Sequence, residues 1–207
     1  MVVPNEPLLT AATTALLLID FQEDVVGTCA GDLHPWAVPA VERAAEAADW
    51  ARSSGIPVIW VRVERRPDYS DVFAHQTDTV LAGKGPQGKR LVAGSPGARL
   101  VPSLVVQPED RVIVKPRVNA FYGTSLEVVL RRLGTDTVLL GGVYTNMGVE
   151  STARCAYDRD LNVVVISDCC AAYSPDVHDH AITKTFPRIG RVRTLDAVKS
   201  LLTEVAR

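Results

Sequence analysis

The 207-residue sequence holds only four cysteines, Cys29, Cys155, Cys169 and Cys170, with no CxxC pair and one pair directly adjacent. That scarcity excludes a disulfide framework and a thiolate zinc site, and it leaves reduced thiols packed as small hydrophobes. An excess of one charge is lacking too. Against 22 Lys+Arg stand 24 Asp+Glu, for a formal net charge of −2, so the basic face of a nucleic-acid binder is not expected. Apolar runs stay short: residues 15–19 and 163–166 are far below the ~18 residues of a membrane span. The opening Met1-Val2-Val3-Pro4-Asn5-Glu6 has neither a basic n-region nor a long apolar h-region, so the expected location is the cytoplasm. Internal repeats and low-complexity tracts are missing. What is present is 47% hydrophobic and 22% charged residues, the make-up of one globular domain over residues 1–207 with a sizeable core.

Short apolar runs alternate with helical patterns. The runs are residues 14–20 (TALLLID), 57–63 (PVIWVRV), 111–115 (RVIVK, closed by Pro116), 137–140, 162–167 (NVVVIS) and 191–194. Val38, Val41, Ala45 and Ala48 share one helical face, stopped by Gly55 and Pro57. Leu126, Val129, Leu130 and Leu133 form a second stripe, with Gly134 as its C′ residue. Further helices are expected over residues 147–160, where Glu150 precedes Arg154 in the favourable i,i+4 order, over 176–185 and over 195–205. Strands alternating with helices, with no hairpin signal between them, predict an α/β fold. It should be a three-layer α/β/α sandwich whose mostly parallel sheet has about six strands. Residues 64–104 break the rhythm with many Gly, Pro and charged residues, and predict a flap or a partner-facing excursion over the active face.

Open parallel sheets bind ligands at the carboxyl ends of their strands, so the residues ending each run matter most. Asp20 follows Leu-Leu-Leu-Ile, where desolvation favours the protonated acid and a nearby ammonium opposes it. It is either a general acid/base or a turn and cap residue. Lys115 ends an apolar strand, and a buried lysine needs a partner. The two make a candidate ion pair across the catalytic face.

Four ordered segments carry a family likeness: Leu17-Leu18-Ile19-Asp20-Phe21-Gln22, Gly94-Ser95-Pro96-Gly97-Ala98, residues 115–124 (KPRVNAFYGT) and residues 142–154 (GVYTNMGVESTAR). From about residue 13 to 200 the chain resembles the isochorismatase-like hydrolases, and the resemblance implies their Rossmann-like fold. Most members are cysteine hydrolases of amides with an Asp–Lys–Cys triad, a backbone oxyanion hole and a cis peptide that would map to Val143–Tyr144. Asp20 and Lys115 match the first two triad positions, but Gly148 stands where the nucleophilic Cys would be. Glycine has no side chain to attack with. The resemblance is therefore better to the isochorismatases proper, which cleave a vinyl ether and release pyruvate without a nucleophilic side chain. It also implies a homodimer or homotetramer.

On this reading Asp20 is the acid, Lys115 its partner, and Gly148 an open slot. The backbone of Val143, Tyr144, Thr145, Asn146 and Met147 would hold an anionic group, with Phe121 either lining the pocket, like Tyr122, or packing as core. The alternative is an amidase-type scaffold that has lost its nucleophile and only binds. Ser151 lies one turn into the following helix and Cys155 about 10 Å along it, so neither readily replaces a thiol at 148. Glu64-Arg65-Arg66 occupies the place of the Asp-x-His metal site of nicotinamidases, so no metal and no cofactor is expected. His178 and His180 point to different sides of a helix and do not share a metal. Residues 83–88 satisfy G-x-G-x-x-G, but no strand precedes them and Pro86 interrupts them. Arg65, Arg66 and Lys84 are either carboxylate-recognising groups on the flap or solvated charges.

Overall fold

The computed structural model describes residues 7–28, 31–72, 84–85 and 88–203. Six parallel strands form one sheet: β1 (Thr14–Ile19), β2 (Val58–Val63), β3 (Arg111–Lys115), β4 (Thr137–Val143), β5 (Asn162–Ala171) and β6 (Arg191–Arg193). Their spatial order is β3-β2-β1-β4-β5-β6. Helices α1 (Glu23–Val26), α2 (Val38–Ser53), α3 (Leu126–Arg132), α4 (Glu150–Tyr157), α5 (Pro175–His180) and α6 (Leu195–Leu201) complete the main elements. No helix among the described residues is long and apolar enough to cross a membrane.

The period of two along a strand divides the core into two layers. Leu16, Leu18, Trp60, Leu139, Val164 and Ile166 face one side, covered by the alanine-rich face of α2 and by Leu195 and Val198 of α6. Ala15, Leu17, Ile19, Ile59, Val61, Leu140 and Val165 face the other, covered by Leu126 and Leu130 of α3 and Ala153 and Ala156 of α4. Every residue of β1 and β4 is buried, as a central strand covered on both faces requires. The expected three-layer α/β sandwich is what the chain adopts.

Several boundaries differ from the sequence expectation, each for a packing reason. Strand β4 runs through Gly141 and Gly142 because its neighbours leave no room for a side chain there. A Cβ on Gly142 would lie 2.6 Å from the Ile19 carbonyl oxygen, and its φ of 152° suits glycine. Strand β5 continues past Asp168, whose carboxylate takes Arg43 and the Leu195 N–H, so the acid does not end the strand. The helix expected from 147 begins instead as a π-helical turn over Thr145–Val149, and α4 ends at Tyr157. The last helix stops at Leu201, after which Leu202 pairs with Leu9; residues 204–207 lie outside the described residues.

Cys169 and Cys170 are buried and reduced, and Cys155 is reduced and half-buried; Cys29 lies outside the described residues. Burial pushes the Cys170 thiol up to about 12 and the Cys169 thiol well up, so both stay protonated. The expected excursion leaves β2 after Val63, and its described ends are fastened to the rim of the sheet. Arg65 bridges to Val92, and Asp24 of α1 accepts the Leu91 N–H at 2.5 Å. The centre of the excursion, with Gly83, Pro86 and Gln87 of the glycine motif, lies outside the described residues.

One side chain ties this rim together. Gln22, fully buried, donates from Nε2 to the carbonyls of Val63 (2.7 Å) and Ala98 (2.8 Å), and its Oε1 accepts the Val63 N–H (2.7 Å). Replacing it by leucine strands three buried backbone groups, each costing about 1–3 kcal/mol. Gln22→Leu should therefore lower the unfolding free energy by about 3 kcal/mol or more, read from the midpoint of a urea transition.

Candidate active site

The strand order reverses between β1 and β4, the crevice where doubly wound sheets place ligands. Asp20 leaves β1 in the left-handed region, φ 61°, an unusual conformation for a side-chain-bearing residue and of a kind found at functional sites. Its N–H donates to the Val61 carbonyl and its own carbonyl accepts the Gln22 N–H, both at 2.8 Å. The kink therefore sits between two anchored residues.

Lys115 reaches this point from two strands away. In register, Lys115 lies beside Val63 of β2, and Val61 beside Ile19 of β1, a lateral gap of about 10 Å that the long lysine stem spans. Its Nζ donates to Asp20 Oδ2 at 2.8 Å and to the Arg117 carbonyl at 3.2 Å. Lys115 keeps 1% of its surface exposed and Asp20 8%. Burial raises the Asp20 pKa; Lys115, and more remotely the Arg65 guanidinium, oppose that rise without cancelling it. Oδ2 is taken by the ammonium, while Oδ1 is buried with no hydrogen-bond partner. The group is thus biased toward a protonated acid with one oxygen uncommitted.

Gly148 closes the third side. A Cβ built on it would lie 2.8 Å from Asp20 Oδ2, 3.4 Å from Ile19 Cγ2 and 3.5 Å from the Val143 carbonyl oxygen. The carboxylate leans into the space through which a side chain at 148 would leave the backbone. The peptide Val143–Tyr144 is cis, where the family resemblance places it. After it, the π-helical turn Thr145–Val149 carries Asn146, whose Oδ1 is buried and unpartnered. Such single π turns recur at functional sites.

Asp20, Lys115, Gly148 and the 143–147 backbone are therefore brought together. Phe121 is not: its ring joins the α3/α4 side of the core, with the Arg159 guanidinium 4.8 Å from its centroid, while Tyr122 is exposed. Ser151 and Cys155 lie on α4 beyond the slot, and Cys155 Sγ accepts from Arg159 instead. Arg65 is turned inward, its guanidinium donating to the Pro116 carbonyl at 2.5 Å, whereas Arg66 stays on the surface beside Asp68. The side chain of Lys84 lies outside the described residues.

Further contacts at this site join residues that the sequence alone does not bring together. Trp36 and Tyr144 have ring centroids 5.5 Å apart, His34 stacks on Trp36, and Tyr173 meets Tyr144 edge-on at 5.8 Å, so four separated positions form one aromatic wall. His178, read from sequence only as an improbable metal ligand, bonds through Nδ1 to the fully buried Thr145 Oγ1 at 2.8 Å. It fastens α5 to the π-helical turn, and burial lowers its pKa. Gln22 stands inside the first of the four family segments, and its pairing with Val63 could have been suspected from the cost of burying an amide.

Residues 14–197 match the isochorismatase domain model. The chain is 39% identical over 202 residues to the uncharacterized isochorismatase family protein YecD of Escherichia coli O157:H7, covering 94% of this chain and 98% of that one. It is 33% identical to a ureidoacrylate amidohydrolase, RutB, of Methylorubrum extorquens, over 83% of this chain and 75% of that one. An isochorismatase family protein from Burkholderia thailandensis superposes with a TM-score of 0.82 at 37% identity, over 95% and 98% of the two chains.

The opposition of burial and Lys115 at Asp20 can be measured directly. In Lys115→Met the desolvation remains and the main opposing charge is lost, so the Asp20 carboxyl should titrate at higher pH than in the parent protein. Carbon-13 carboxyl NMR across a pH series reads the shift; an unchanged or lower midpoint would show that the ammonium does not act on this acid.

Proposed function

The chain belongs to the isochorismatase family, and from that premise we propose that it hydrolyses a small anionic molecule, favouring a vinyl ether whose cleavage releases pyruvate. Hydrolysis is the chemistry of the family; the substrate, the acid–base role of Asp20 and the tolerance of Gly148 are our reading. The observation that carries it is the position of the Asp20 carboxyl. It lies where a side chain at 148 would emerge, its pKa raised by burial against the opposing Lys115, with Oδ1 uncommitted.

Vinyl-ether hydrolysis asks for that arrangement. Asp20 gives its proton to the terminal vinyl carbon, and the electron pair of the double bond forms the new C–H bond. The adjacent carbon becomes an oxocarbenium ion, which water captures; the hemiketal then collapses, releasing pyruvate and the alcohol and returning a proton to Asp20. No bond to the enzyme forms, so position 148 needs no thiol. Lys115 binds the conjugate carboxylate as it forms and orients Oδ1. The N–H groups of the turn that opens α4, with Arg65 nearby, supply positive potential for an anionic substrate.

A second reading follows from Gly148 lying inside an otherwise amidase-like motif, in a chain related to an amidohydrolase. In it the scaffold binds amides or carboxylates without turnover. The readings separate in one assay, pyruvate release from enzymatically generated isochorismate. Vinyl-ether chemistry predicts release in the parent protein and a loss of at least about 10²-fold in kcat for Asp20→Asn. Release should hold at low pH and fall as pH rises through the raised Asp20 pKa, because only the protonated acid acts. Binding that stabilises the fold across an amide and carboxylate panel, with no product from any of them, would favour the non-catalytic scaffold.

A further inference from the structure

Away from Asp20, a second cavity of about 550 Å³ opens between α4 and the segment following α5. Arg154, His180, Lys184, Thr185, Arg188 and Ile189 line it, with no carboxylate among them. His180 ends α5, Lys184 sits in a π-helical turn over Ala181–Thr185, and Arg188 closes a 3-10 turn over Phe186–Arg188. Three basic side chains thus recur four residues apart along one ridge, with Arg154 of α4 as the fourth. The ridge is rigidly seated, since Ala181 and Phe186 on its inner side are fully buried. Arg154 is held as well: its Nε and Nη2 both donate to Glu150 Oε1, at 3.0 and 2.8 Å, leaving Nη1 outside that pairing.

Like charges one helical turn apart repel. Among the described residues neither Lys184 nor Arg188 has an ion-pair partner, in a chain whose net charge is −2. All four basic side chains are exposed, so water moderates this repulsion, and an anion in the cleft would relieve what is left while meeting several donors at once. A tetrahedral phosphate suits donors arriving from two helical elements better than a planar carboxylate does, because its oxygens diverge toward separate guanidinium and ammonium groups. The cavity exceeds the size of bare phosphate and falls in the range of small-molecule sites, with Ile189 as apolar surface for an organic portion.

We propose that this cleft binds the phosphate group of a small phosphorylated molecule, at a place separate from the Asp20 crevice. None of its lining residues belongs to that crevice, so the proposal is independent of the reaction assigned there. Calorimetric titration of the full chain with ribose 5-phosphate, inorganic phosphate and ribose at low salt tests it. Saturable binding of ribose 5-phosphate, weaker binding of inorganic phosphate and none of ribose are expected. Affinity should fall at least about tenfold in the exposed-surface variant Lys184→Gln/Arg188→Gln, and should be unchanged in Asp20→Asn. Rising salt should weaken it. A lack of saturable binding at millimolar ligand would overturn the proposal. So would equal affinity in the double variant with its circular dichroism and Tm unchanged, or loss of binding in Asp20→Asn alone, which would move the phosphate to the other crevice.

Discussion

A lysine with 1% of its surface exposed is tolerable only beside an acceptor, and Lys115 has one in Asp20, 2.8 Å away. This pair is the constraint on which the active face turns. It joins residues 95 apart in sequence, at the ends of strands that do not touch. Its geometry therefore holds only if β2 lies between β1 and β3 in the observed register. The backbone at Asp20, anchored to Val61, and the clasp of Gln22 on Val63 tie the end of β1 to β2, while the bare backbone at Gly142 lets β4 pack closely against Ile19 on the other side of β1. The left-handed conformation of Asp20 is held by its hydrogen bonds to Val61 and Gln22 on either side.

The proposed chemistry rests on the imbalance within the pair. Burial raises the acid's pKa, and one ammonium opposes the rise without cancelling it, a bias toward the protonated form. Gly148 contributes by what it lacks, since a Cβ there would press on Oδ2. In a triad with a thiol, the acid would serve as base to a neighbouring nucleophile. Without the thiol, no side chain at 148 stands beside the same acid, which is the physical content of the proposed change of reaction.

Much of the fold was legible because hydrophobic periodicity is a local quantity. The runs at 14–20, 57–63 and 111–115 became β1, β2 and β3 almost residue for residue. Errors fell where neighbours overrode local preference. Two glycines usually end a strand, but β4 passes through them because β1 and β5 pack against its backbone. An aspartate usually ends an apolar run, but β5 continues because Arg43 and the Leu195 N–H satisfy Asp168. At the site, the strand-end positions of Asp20 and Lys115 were readable as such. Phe121 was not assignable, because its surroundings, the α3/α4 side of the core and Arg159, come from other elements.

By itself the sequence determined the layered α/β class, the family, the chemical types at the ends of β1 and β3, and the missing side chain at 148. Those follow from spacing and residue identity, which need no third dimension. Only the tertiary structure decided that Trp36, Tyr144 and Tyr173 form one wall, that His178 fastens the turn at Thr145, and that the Asp20 carboxyl leans over Gly148. These contacts join segments tens of residues apart. They exist because burial and hydrogen-bond satisfaction leave those side chains few other directions to take, and no local stretch of chain encodes that on its own.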